Sequence, residues 1–370
     1  MKNIFDVTDF GAVSDGKTDS TKAIQAAINE AAKVKGAVII PPGKYLCGYI
    51  KLFPSVALEG YHGWGYREKG GSVLVLNDEN TPCLLDLTGA HGACVKGIHF
   101  DGNKCLGEKV HGIMINWPHY SGGTLPDSYD EGDVGVYCDP THSTFREDST
   151  VIHDCQCKNF SGDGMHFNHV FAFTVSDCHS MSNKGHGIYV NGYDGWIHDC
   201  MLSVNLGAGI SFENGCAASI TIVGNRIEWN KDGGIVVCGG NSLTINNNFF
   251  DRAYGPSIHK KGDGKFSDTT ISGNLFRRSG KPREVPFENE YESCHVYLSN
   301  CENIVVSGNS CKAGIDDGGV GVLSPDYSFV LKDLHSCVVK DNVMRGGFVK
   351  ESIVELGDNS DNTIIKDNVW

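Results

Sequence analysis

The chain is short of positive charge, of proline and of long apolar runs. Its 31 Lys and Arg stand against 45 Asp and Glu, a formal net charge of −14. Nucleic-acid binding needs a surplus of basic side chains, so composition argues against such a partner. An acidic substrate would need a local cluster of cations. No apolar run approaches the ~20 residues of a membrane-spanning helix, so no membrane partner is expected. The opening Met1-Lys-Asn-Ile-Phe-Asp carries no hydrophobic signal stretch. Fifteen cysteines, an odd number without zinc-type Cys-x-x-Cys pairs, read as reduced thiols of a cytoplasmic protein. Calcium loops and nucleotide-phosphate loops are missing as well, so no metal and no cofactor is expected. Proline is scarce at 11 while glycine reaches 47, the balance of a chain with many tight turns between short strands.

What is present is a repeat. From residue 150 the phrase apolar-x-apolar-x-(Asp/Asn/Gly)-(Cys/Asn) recurs, ending at Cys155, Cys178, Cys200, Asn225, Asn248, Asn274, Asn309, Asn342 and Asn368. The steps are 23, 22, 25, 23, 26, 35, 33 and 26 residues. A near-constant step with occasional excess means one rung per repeat, with insertions in loops. A second phrase, Gly-x-Gly-apolar-x-apolar, interleaves at Gly162, Gly185 and Gly207. Both phrases have strand period, so the fold class is an all-β solenoid, a parallel β-helix. The Cys and Asn column reads as an internal ladder, structural and without chemistry. Residues 19–33 have helical spacing, with Ile24, Ala27, Ile28 and Ala31 on one face and Asp19 or Ser20 as N-cap. The whole chain, 1–370, reads as a single β-helix domain, with 1–50 as an N-terminal cap and 51–370 as rungs. Loop insertions fall at 116–132, 140–149 and 279–293.

Strand alternation separates core from surface columns. The strand-start column is His111, Val134 (with Asp133 before it), Asp163, His186, Ala208, Gly233 and Pro256. The outward middle column is Met114, Tyr137, His166, Tyr189, Ser211, Val236 and His259, and the outward end column is Asn116, Asp139, Asn168, Asn191, Glu213, Cys238 and Lys261. Such a face offers sugars flat apolar surface and directional hydrogen bonds. Adjacent rungs lie ~4.8 Å apart, so Asp133 and Asp163 are expected as neighbours, flanked by His111 and His186. Two close carboxylates repel, leaving one an acid and one a base, the equipment of glycoside hydrolysis. The candidate catalytic residues are therefore Asp133, Asp163 and His186. Candidate substrate-binding residues are His111, Trp117, Tyr137, Asp139, His166, Asn168, Tyr189, Asn191, Glu213, His259 and Lys261.

Phe5-Asp-Val-Thr-Asp-Phe-Gly-Ala-Val-Ser-Asp-Gly-Lys-Thr-Asp-Ser20, the helix after it and Val38-Ile-Ile-Pro-Pro-Gly-Lys-Tyr45 together resemble the N-terminal signature of the pectin-lyase-like superfamily. The resemblance implies a right-handed β-helix with a carbohydrate groove along one sheet. Gly162-Asp163 and Gly185-His186-Gly187 resemble the polygalacturonase Asp-Asp…Gly-His-Gly signature, with Gly162 where that family has its first Asp. Glu213 stands where that family holds a uronate with a cation. Asp163-Gly164, His186-Gly187 and Tyr137-Cys-Asp-Pro-Thr-His142 resemble mannuronan epimerase turns. Asn274-Leu-Phe-Arg-Arg-Ser-Gly280 and Gly321-Val-Leu-Ser-Pro325 resemble inulin fructotransferases, which implies a homotrimer. The leading expectation is a glycoside hydrolase acting on an oligosaccharide or polysaccharide. The alternatives are a lyase or C5-epimerase using Tyr137, His166, Tyr189 and His186, an anhydride-forming fructotransferase, and a trimeric glycan binder without catalysis. His259, Lys260 and Lys261 are the cation cluster a uronate would use.

Overall fold

The computed structural model describes residues 3–63, 70–118, 147–213, 217–281, 287, 289–360 and 362–370, with the backbone of 136–137 and 145–146. The chain divides into two compact units, residues 1–185 with 192–196, and residues 186–191 with 197–370. Both are stacks of parallel strands, as the repeat predicts.

In the first unit one stack runs Ile4–Asp6, Ala37–Ile39, Ala57–Glu59, Cys94–Lys96, Thr150–His153 and the later part of Met165–Ser176. A second runs Ile50–Lys51, Cys83–Asp86, His111–Asn116 and the earlier part of Met165–Ser176. The third runs from Asp15–Asp19 through Gly43–Cys47, Ser72–Leu76, Ile98–Asp101 and Gln156–Lys158 to His179–Met181. Helix α1, Thr21–Ala32, packs the predicted Ile24, Ala27, Ile28 and Ala31 face against this unit. Ser20 holds the N-cap position, but its hydroxyl is spent on Val13. Asp19 instead accepts the Thr21 amide at 2.9 Å.

The second unit repeats the plan. One stack runs from Ile188 through Ala208–Phe212, Gly233–Val237, Ile258–Lys260, Cys294–Ser307 and Tyr327–His335 to Glu351–Leu356. The Asn column is an internal hydrogen-bonded ladder. Asn225, Asn248, Asn274, Asn309 and Asn342 each donate both backbone and side-chain N–H to Oδ1 of the next asparagine, at 2.9–3.1 Å. The residue before each ladder position is left-handed. Asp199, Asn247, Asp341 and Asp367 have φ of 54–58°, and Gly224, Gly273 and Gly308 take the equivalent place. Only Gly, Asn and Asp visit that region readily, which explains the fifth letter of the repeat. A second ladder, Asn205 onto Asn230 at 2.9 Å, escaped the sequence reading because its spacing phrase is looser. In the first unit Cys155 and Cys178 occupy the ladder position, with the Cys155 amide on the Cys178 sulfur at 3.4 Å. Among the described residues no helix is long and apolar enough to cross a membrane.

One expected rung is corrected. Ile113 to Asn116 pair directly with Met165 to Asn168, so no strand stands between them. Val136–Tyr137 pairs antiparallel with Phe145–Arg146, as a small hairpin within the insertion. The slot given to Asp133 beside Asp163 therefore does not exist in the stack, and Tyr137 is not part of the parallel column. A hairpin strand alternates with the same period as a rung strand, so alternation could not separate the two. Asp133 and Asp139 lie outside the described residues, as do most of 116–132 and 140–146 and part of 279–293.

Candidate active site

The first unit brings His111, Asp163 and His166 together. Register with Met165 places Asp163 at the strand start and His166 one outward position along, with His111 beneath on the previous rung. Asp163 Oδ2 accepts from His166 Nδ1 at 2.8 Å. The Asp163 backbone N–H donates to His111 Nδ1 at 2.9 Å. That bond fixes the His111 tautomer, because an accepting nitrogen carries a lone pair and the proton sits on Nε2. The 3.3 Å approach of His111 Nδ1 to Asp163 Oδ2 is therefore not an ion pair. For His166 the logic is reversed. Its Nδ1 carries the proton given to the carboxylate, which leaves the lone pair on Nε2. The two imidazoles lie 4.2 Å apart, tilted by 30°. Asp163 is 6 % exposed, so its charge acts in a poorly hydrated setting.

The glycine phrase builds this packing. A Cβ at Gly185 would fall 2.2 Å from Asp163 Oδ1, and one at Gly162 would fall 2.7 Å from His111 Nδ1. Gly162 is the position where polygalacturonases carry their first Asp, and here no side chain fits. The His111, Asp163 and His166 ligand atoms also lie within 4.8 Å of one another, a spacing open to a metal ion. The donor set fits one poorly, since His111 Nδ1 already accepts an amide and His166 Nδ1 shares its proton with Asp163.

Around this centre, Asn168 Nδ2 donates to Asn116 Oδ1 at 3.0 Å, keeping the end column polar. Trp117 is half-buried and tied down. Its indole N–H donates to buried Asp148 at 3.0 Å, and its ring stacks on His91 at 6.0 Å. It anchors the start of the insertion. Three residues lower on the same face are not among the sequence candidates. Lys51 lies beside Asp86, and Asp86 beside Met114, in the column that leads to His166. Asp86 Oδ2 accepts from Tyr49 Oη at 2.5 Å and from Lys51 Nζ at 3.0 Å. Burial, then the bond to Asp86, raises the Tyr49 phenol above its ordinary value. The signal was there: Cys83-Leu-Leu-Asp86 lies one rung, 28 residues, before His111 to Met114.

The second unit holds His186, Tyr189, Asn191, Glu213, His259 and Lys261 on its outward columns, in the predicted register. His186 Nδ1 accepts the Ala208 amide at 3.0 Å, so Nε2 carries the proton and faces Glu213 Oε2 at 3.5 Å. The Tyr189 ring lies 6.2 Å from His186. Much of the middle column is buried rather than solvated. Ser211 and Val236 have no exposure, and Tyr189 and His259 little. Each side chain there is shielded by neighbours ~4.8 Å above and below. Asn191 is buried too, whereas Glu213 is exposed. Lys260 points inward, and its ammonium donates to the Lys261 and Gly262 carbonyls at 2.9 and 2.8 Å. Burial lowers its pKa. It is committed to its own turn, so the expected cation cluster reduces to His259 and Lys261.

A family model described as right handed beta helix region matches residues 139–250 and 208–370. A second, rhamnogalacturonase A/epimerase, pectate lyase-like, matches residues 4–61. Among solved structures, the A-module of Azotobacter vinelandii mannuronan C-5 epimerase AlgE6 is 19% identical. It covers 98% of this chain and 99% of that one, with a TM-score of 0.61. The lidless DFA-IIIase of Arthrobacter chlorophenolicus A6 is 13% identical, covering 100% and 94%, with a TM-score of 0.63. The enzymatically active domain of bacteriophage CBA120 tailspike protein 2 is 14% identical, covering 93% and 47%, with a TM-score of 0.65. At these identities the likeness is one of fold.

Proposed function

The chain belongs to the right-handed β-helix family, within the pectin-lyase-like superfamily, and from that premise we propose that it is a carbohydrate-active enzyme working by histidine acid–base chemistry. The observation that carries this reading is the 2.8 Å bond between Asp163 and His166 Nδ1. A buried carboxylate holding Nδ1–H orients the ring, keeps Nε2 basic and stabilises the imidazolium once a proton arrives. Neutral imidazole is a base matched to neutral pH.

The reaction class that suits one oriented base is proton abstraction from the sugar carbon beside a carboxylate. Return of a proton to the opposite face gives C5-epimerisation, and departure of the neighbouring glycosidic oxygen gives elimination. The fold neighbours include mannuronan C-5 epimerase modules, which supports this branch. Among the described residues, two-carboxylate hydrolysis is less well served. Asp163 is already bonded to His166, and Asp86 stands two rungs away and three residues along, roughly 14 Å by strand geometry. Glycosidase pairs sit about 5–9.5 Å apart. The Tyr49–Asp86–Lys51 cluster, at that remove, suits a neighbouring sugar subsite.

The test is a panel of neutral and uronate-containing oligosaccharides turned over in ¹⁸O-water, with His166→Gln as control. Modified product without label at a new reducing end, lost in the variant, supports the reading. Labelled reducing ends would move the chain to the hydrolases.

A further inference from the structure

The third stack of the first unit carries a cavity on strands other than those of the acid–base centre. Lys44, Val73, His99, Gln156 and His179 follow in register there, with Val75, Asp101 and Lys158 in the next column. They alternate with the core residues Tyr45, Leu74, Phe100 and Cys157, and so lie on the outer face. A cavity of about 320 Å³ opens among Lys44, Lys104, Lys158, His99, Asp101 and Asn103.

Three features of this cavity point to a ligand. In a chain of net charge −14, three lysines meet one aspartate. His99 is only 6 % exposed and lines the cavity, yet neither ring nitrogen has a hydrogen-bond partner. Native proteins rarely leave such groups unmet. Burial, then the Lys158 ammonium, hold the His99 pKa down to about 4, so the ring is neutral and offers one donor and one acceptor. Finally, Asp101 is a fixed acceptor, held by the Asn103 amide at 3.0 Å and the Asn159 side chain at 3.1 Å. A bare inorganic anion would meet that carboxylate as a repulsion. A sugar acid would not, because its hydroxyls can donate there, and the Val73 and Val75 side chains suit the faces of a pyranose ring.

We propose that this cavity binds a single uronic-acid residue, its carboxylate among Lys44, Lys104 and Lys158 and its hydroxyls on Asp101 and His99. The site would hold an acidic polysaccharide away from the reacting centre. It stands on its own observations, and does not need the Asp163–His166 reading to be right.

The experiment is calorimetric titration of the full chain carrying His166→Gln, which removes the proposed base of the other centre, with galacturonate and glucuronate. Galactose serves as neutral control and inorganic phosphate as competitor. The expected result is saturable uronate binding, no galactose binding, and at least tenfold weaker uronate affinity on adding Lys44→Gln, an exposed position that leaves the fold intact. Lys158→Gln should give the same loss. Absence of uronate binding, or binding unchanged by Lys44→Gln, overturns the proposal. Phosphate that binds more tightly than either uronate overturns it in favour of a plain anion site.

Discussion

Asp163 accepts the Nδ1 proton of His166 at 2.8 Å, and its own amide proton goes to His111. One residue thus sets the tautomers of both histidines, one through its side chain and one through its backbone. Asp163→Asn keeps the backbone bond and removes the charge. The variant is expected to fold normally and to lose about 10²–10⁴ in kcat, the usual worth of a positioned acid–base group. Parallel circular-dichroism melts check that the fold is intact.

The Asn ladder makes a stability prediction. Asn248 donates to Asn274 Oδ1 and the Ile222 carbonyl, and its own Oδ1 takes two N–H bonds from Asn225. Asn248→Ala orphans several buried groups at once. Each costs about 1–3 kcal/mol, so a loss on the order of 2–5 kcal/mol is expected in urea unfolding. Asn246→Ala, two residues earlier at a strand end and half-buried, is expected to cost less.

Cysteine reactivity is set by depth. Burial drives the Cys157 and Cys294 thiols far up and raises Cys301 to about 12. Thiolate is the reactive form, so these sites are expected to resist iodoacetamide at pH 8 in native protein. Among the described cysteines, half-buried Cys94, Cys105 and Cys238 are expected to label first in peptide mass spectrometry. No disulfide joins the described cysteines.

Acid lability is expected from buried neutral histidines. His295 is fully buried against Phe276, at 6.0 Å, and burial lowers its pKa to about 3. His179 is lowered to about 4 for the same reason. The unfolded chain takes up these protons near pH 6.5 and the folded chain only below 4, so stability is full above 6.5 and falls between 6.5 and 4. Each group contributes on the order of 3 kcal/mol to that slope. His295→Phe, an apolar near-isostere, is expected to flatten it in urea midpoints measured from pH 7 to 4.5.

Much of this was legible in the sequence. The ladder asparagines, the left-handed residue before each and the helix face of α1 follow from spacing and from which residues tolerate φ > 0. The columns holding His111, Asp163, His166, His186 and Tyr189 follow from alternation. The Asp133 slot failed because residues 134–138 alternate in sequence like a rung, whereas Ile113–Asn116 pairs directly with Met165–Asn168 and 136–137 pairs as a hairpin. Spacing hinted at this only weakly, since the 52 residues from His111 to Asp163 equal two ordinary steps. Bonding was also beyond alternation. A column names the neighbours, but tautomers depend on which nitrogen meets an amide and which a carboxylate. Inward Lys260 shows the same limit, because a lysine stem can fill core space while its head returns to backbone carbonyls.

His166, held by Asp163, is proposed to move a proton on a sugar. The most direct measurement is turnover of mannuronan and pectate oligomers in ²H₂O, with solvent deuterium at the sugar carbons read by NMR. Exchange at C5, or an unsaturated product without exchange elsewhere, is predicted for the parent chain and lost in His166→Gln and Asp163→Asn. Full exchange or turnover surviving in His166→Gln would exclude His166 as the base.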